Sequence, residues 1–143
     1  MGTDTIELLK ECSSGCKMAI NSIRQVREYA KDSRLATLLN DYADRHDKLQ
    51  QETVSLLGEY HKVDEEPSAM ARVCSWMDIE IKMLLEADSH QIAKLMMDGC
   101  NMGIQSVCEY INKYKAASNK SIEIAHKLVE TEEKFMEEMQ AFV

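Results

Sequence analysis

Apolar residues recur every three or four positions along most of the chain, which is the spacing of one face of an α-helix. The first such stretch follows a cap at Asp4 and contains Leu9, Cys12, Cys16, Ala19, Ile23, Val26 and Ala30. A second stretch begins at Asp32 or Ser33, ends near Gly58, and contains Leu35, Leu39, Tyr42, His46, Leu49, Thr53 and Leu56. The short turn between the two stretches predicts an antiparallel helical hairpin.

The second half of the chain repeats this hairpin after a long connection. A polar segment, residues 59–66, and the only proline, Pro67, precede a predicted helix over residues 68–86. Another helix begins after a cap at Asp88 or Ser89, and a last one follows residues 116–119. The alternation typical of strands is absent. The pattern predicts an all-α, up-down-down-up four-helix bundle, with an additional crossover helix between the second and third bundle helices.

Length, charge and composition narrow the class of protein. A chain of 143 residues suits a single domain over residues 1–143. The net charge of −8 disfavours nucleic acid and anionic membranes as partners. No apolar run approaches the roughly 20 residues of a membrane span, and the first residues lack the pattern of a secretion signal. We therefore expect a soluble cytoplasmic protein whose five cysteines are reduced.

Four short motifs carry a resemblance to a known group of proteins. They are Arg45-His46, Leu56-Leu57-Gly58, Ser75-Trp76-Met77-Asp78, and Gly99 followed by Tyr110. With these motifs the chain resembles the small bacterial ferritin-like proteins of unknown function. The resemblance covers nearly the whole chain and implies a ferritin-like four-helix bundle rather than a particular activity.

The ligands of a di-iron site are mostly missing from the expected positions. Di-iron members of the ferritin-like superfamily carry inward Glu residues on two helices and Glu-x-x-His on the other two. The residue three before His46 is Ala43, and Glu123 and His126 are rotated roughly 180° and 120° from the centre of their helix's apolar face. The remaining acids of the first and third bundle helices lie off the apolar stripes: Glu7, Glu11, Glu28, Asp98 and Glu109. We expect a degenerate di-iron site.

Four reactive side chains are instead predicted to face inward at the middle of the bundle. His46 and Glu132 lie near the centres of their helices' apolar stripes. Distance from the connecting turns places Cys16 level with His46, and Cys100 level with Glu132. One interpretation is a tetrahedral site for zinc or a single iron with all four residues as ligands. The favoured interpretation is a hydrogen-bonded His46–Glu132 pair among core thiols, with no cofactor.

Two further hypotheses concern redox chemistry and association. Cys12 and Cys16 are spaced as a thiol pair, but apolar burial would keep them inert. The predicted crossover helix has a second apolar stripe, Trp76, Ile79 and Met83, which is either covered by the chain itself or forms a homodimer interface. These features favour a non-enzymatic binding or protein-interaction module. The alternative is a metal-dependent oxidoreductase or metal store.

Overall fold

In the computed structural model, the described residues, 2–60 and 88–143, form four α-helices and a short 3-10 turn. They are α1 (Gly2–Arg27), α2 (Ser33–Glu59), α3 (Ser89–Lys113) and α4 (Asn119–Met139), followed by the 3-10 turn Gln140–Phe142. No strand occurs in these two ranges, which confirms the all-α prediction. None of the four helices is long and apolar enough to cross a membrane.

Side-chain caps fix the beginnings of three helices. Asp32 Oδ1 accepts hydrogen bonds from the backbone N–H groups of Arg34 (2.8 Å) and Leu35 (3.3 Å). Asp88 Oδ1 accepts from Gln91 N at 2.8 Å, and Ser118 Oγ accepts from Ser121 N at 3.2 Å. Each cap satisfies N–H groups that the first turn of a helix leaves without an intrahelical acceptor. At both positions where the sequence left two caps open, the aspartate is the cap.

Asp4 is not the cap of the first helix, contrary to the sequence prediction, because α1 already begins at Gly2. Its carboxylate accepts a hydrogen bond from Ala116 N at 3.1 Å, in the turn between α3 and α4. The neighbouring Thr5 Oγ1 accepts from Ser118 N at 2.8 Å. The first turn of α1 therefore anchors the α3–α4 turn.

The helices enclose two separate apolar clusters, one near each connecting turn. The α1–α2 turn cluster contains residues from the second half of α1, the first halves of α2 and α3, and the end of α4: Ile23, Val26, Leu35, Leu39, Tyr42, Ala43, Ile92, Ala93, Leu95, Met96, Cys100, Phe135 and Met139. The α3–α4 turn cluster contains Leu8, Leu9, Cys12, Cys16, Leu49, Leu56, Leu57, Val107, Ala117, Ile124, Ala125, Leu128 and Val129. Along α2 the clusters stop at Ala43 and resume at Leu49. Along α4 they stop at Val129 and resume at Phe135.

Candidate functional site: a buried histidine–glutamate pair

The interval between the two apolar clusters is occupied by His46 of α2 and Glu132 of α4. The sequence predicted both to face inward, and they are 0% and 7% exposed. Each is in phase with the apolar stripe of its helix, because Tyr42 and Leu49 precede and follow His46 by one turn, as Leu128 and Phe135 do Glu132. The otherwise apolar faces of α2 and α4 therefore each contain one polar residue here, and His46 and Glu132 together form a polar layer in the core.

The pair is joined by a short hydrogen bond across the bundle. His46 Nε2 and Glu132 Oε1 are 2.5 Å apart. On the other side of the ring, His46 Nδ1 lies 2.6 Å from the backbone carbonyl oxygen of Tyr42, one turn earlier in α2. The Tyr42 carbonyl binds one ring nitrogen and the Glu132 carboxylate binds the other, so the imidazole is held in one orientation.

These partners determine how many protons the site holds. A carbonyl oxygen can only accept, so Nδ1 of His46 must carry a proton and donate it to Tyr42 O. The Nε2–Oε1 contact needs one further proton, and the imidazolium supplies it to the carboxylate as donor. The imidazolium and the carboxylate balance each other, so the His46–Glu132 unit as a whole carries no net charge.

The same environment raises the pKa of His46 above its ordinary value of 6.5. Burial is the largest single influence and disfavours the imidazolium, because a charged ring loses its hydration. The nearby Glu132 carboxylate and the hydrogen bonds to Glu132 and Tyr42 O act in the opposite direction, and together they outweigh burial. The pair therefore keeps the ring protonated to a higher pH than an isolated histidine would be.

An aromatic stack closes the layer on the side of the α1–α2 turn cluster. The rings of Tyr42 and Phe135 lie 4.6 Å apart at 11° to each other, one turn from His46 and Glu132 respectively. The guanidinium of Arg45 lies 4.6 Å from the centre of the Tyr42 ring. The stack limits water access to the pair from this side, which strengthens its electrostatic attraction.

The structure places the predicted cysteines on either side of the layer. Cys100 belongs to the α1–α2 turn cluster, and its thiol lies close to Glu132; burial, reinforced by that carboxylate, raises the pKa of the thiol. Cys16 is fully buried in the α3–α4 turn cluster. Burial raises the pKa of Cys12 to about 12, so at neutral pH this thiol is protonated and unreactive, as the sequence predicted.

Most of the residues that the sequence placed off the apolar stripes lie on solvated faces, but Glu7 is half-buried and Glu11 is buried. Glu123, His126, Asp98 and Glu109 are all exposed. Glu11 is only 7% exposed, although the sequence placed it off the α1 stripe. Burial raises its pKa, and Tyr110 of α3, which lies close to the carboxyl group, acts in the opposite direction. The stripe marked the face toward α2 and could not show that α1 is also covered on a second side.

Residues 2–60 and 88–143 contain no assembled set of metal ligands. No group of three or more His, Cys, Asp or Glu side chains is arranged there to hold a metal ion. The predicted crossover helix with its Trp76, Ile79 and Met83 stripe lies outside the described residues. Homodimerisation through that stripe stays a prediction.

Comparison with known proteins does not place the chain in a family. No family model, no curated protein and no solved structure gives a significant match.

Proposed function

We propose that this protein is a non-enzymatic ferritin-like four-helix bundle that acts as a binding module and carries a degenerate di-iron site. The observation that carries the proposal is the His46–Glu132 pair. A di-iron centre would need several carboxylates at mid-bundle, because ferric iron prefers hard oxygen ligands. In the polar layer between the two apolar clusters, Glu132 is the one buried carboxylate among the described residues. Its Oε1 is already hydrogen-bonded to His46. These residues do not fit a di-iron centre.

The composition of the two apolar clusters supports the ferritin-like arrangement. The beginning of α1 shares a cluster with the beginning of α4, and with the ends of α2 and α3. The end of α1 shares the other cluster with the end of α4, and with the beginnings of α2 and α3. This pattern is expected if α1 and α4 run in one direction and α2 and α3 in the other.

One observation favours the alternative, a metal-binding protein with oxidoreductase or storage activity. Glu132, one of the four predicted ligands, hydrogen-bonds His46 and lies close to the Cys100 thiol. Zinc or a single iron could use a thiolate, an imidazole and a carboxylate together. Binding would require His46 to give up its Nε2 proton and Cys100 to ionise, and the pKa shifts of both groups oppose this.

Elemental analysis of the protein distinguishes the two functions. Protein purified without added metal is expected to contain iron, manganese and zinc well below one equivalent per chain. The His46→Gln variant and the exposed-site control His126→Gln should give the same values. Near-stoichiometric metal that is lost in His46→Gln but kept in His126→Gln would contradict the proposal and establish the metal-binding alternative.

A further inference from the structure

A pocket lies against the mid-bundle layer, between α1, α3 and α4. Small residues of α1 and α3 open it, among them Ala19, Gly99 and Gly103, and apolar side chains line its walls, among them Met18, Met96 and Phe135. Glu132 is the only charged side chain among the described lining residues. The pocket is therefore an apolar recess with one carboxylate in its lining.

The orientation of Glu132 leaves one of its oxygens on the pocket side. Oε1 bonds His46, whereas Oε2 lies on the side of Gly103. A Cβ atom at position 103 would sit 3.6 Å from Oε2, in the space that the glycine leaves open. A carboxylate oxygen accepts more than one hydrogen bond, and the Cys100 thiol is a weak donor. The carboxylate can therefore accept a stronger donor from a molecule in the pocket.

The charge of the site selects an uncharged ligand. The His46–Glu132 unit is already neutral, so an ammonium group entering this apolar recess would add a buried charge without a counterion. A hydroxyl group would donate to Oε2 without disturbing that balance. A carboxylate ligand is disfavoured because it would face the carboxylate of Glu132.

The size of the cavity selects a slender ligand. Its volume is about 40 Å³, well below the roughly 150 Å³ of a cavity that admits benzene. The recess can take a hydroxyl group and the first carbons of a chain, with the remaining chain lying toward the open side over the apolar walls.

We propose that this pocket binds a linear aliphatic alcohol, with its hydroxyl group donating to Glu132 Oε2 and its chain on the apolar walls. The inference rests on the proposed binding function and names the class of ligand for it. Glu132 has two roles in the complex, since it holds the His46 ring with one oxygen and the ligand with the other.

The test compares three molecules of equal heavy-atom count by NMR titration of the whole protein. They are 1-hexanol, its isomer methyl pentyl ether, and hexylammonium. For seven non-hydrogen atoms we expect 1-hexanol to bind with a dissociation constant on the order of 1 mM. The ether has no donor and should bind about tenfold more weakly, and so should the cation. Equal affinities for alcohol and ether, tighter binding of hexylammonium, or no binding of 1-hexanol would overturn the inference.

Two glycine substitutions locate the site. Gly103→Ala keeps ordinary van der Waals distance to Glu132, so the protein should fold, but its methyl group would occupy the approach to Oε2. Gly58→Ala, in α2, has open space around the added atom and serves as the matched control. We expect Gly103→Ala to weaken 1-hexanol binding about tenfold and Gly58→Ala to leave it unchanged. Unchanged binding in Gly103→Ala would contradict the assigned position. The metal content of the protein is independent of these titrations, so failure of this inference is distinguishable from failure of the proposed function.

Discussion

Replacing Glu132 with leucine is expected to lower the free energy of unfolding by about 3 kcal/mol, and replacing it with glutamine by about 1 kcal/mol or less. Leucine fills similar space but offers no hydrogen bond, so Nε2 of the fully buried His46 ring would have no partner. A glutamine amide can donate to Nε2 of a neutral ring, while Nδ1 still donates to Tyr42 O.

Urea unfolding at neutral pH measures this difference. The neighbouring Glu133 is exposed, so Glu133→Leu and Glu133→Gln report the effect of the same changes away from the pair. Both control substitutions should change stability by about 0.5 kcal/mol or less. If Glu132→Leu and Glu132→Gln prove equally mild, the pair contributes nothing to folding and the polar layer is coincidental packing.

Removing the other partner should have an effect at least as large. His46→Leu is expected to destabilise the protein by about 3–5 kcal/mol at pH 6, because it leaves the Glu132 carboxylate buried without its imidazolium. His126 is exposed on α4, so His126→Leu is the matched control and should cost little. A loss below about 1 kcal/mol for His46→Leu would show that water reaches the Glu132 carboxylate and that its charge does not depend on His46.

The raised pKa of His46 also predicts the direction of a pH dependence. A group whose pKa is higher in the folded state contributes its full stability below its unfolded pKa, here about 6.5, and loses it as pH rises through the folded value. The wild-type protein should therefore lose stability above pH 6.5. His46→Gln keeps a donor to Glu132 but does not titrate, so its stability should fall less over the same range. A steeper fall in His46→Gln would contradict the assigned charge state.

Helical phase made the central features of the site predictable from sequence. His46 and Glu132 each follow the 3.6-residue period of an apolar stripe, and a stripe fixes the inward side of a helix whatever its neighbours are. The sequence also named Asp32 and Asp88 as candidate caps, because a cap is set by the residues of the turn that follows it.

Features that depend on two or more helices were not predictable in the same way. The burial of Glu11 arises because α1 is covered on a second side, where Tyr110 of α3 meets it. Asp4 hydrogen-bonds a turn more than a hundred residues away in the sequence, so the pattern of α1 alone could not predict this contact. The pocket lies between α1, α3 and α4, and small residues such as Ala19 of α1 and Gly103 of α3 line it. A periodicity records which side of a helix is apolar but not how closely two helices approach.

The charge state of His46 tests most directly whether the mid-bundle site holds a proton or a metal. Side-chain ¹⁵N NMR of the wild-type protein at pH 7, before and after addition of zinc, reports both ring nitrogens. We predict that Nδ1 and Nε2 are both protonated and that zinc leaves their signals unchanged. An unprotonated Nε2 would contradict the imidazolium–carboxylate pair, and a zinc-dependent shift of that nitrogen would favour a metal site.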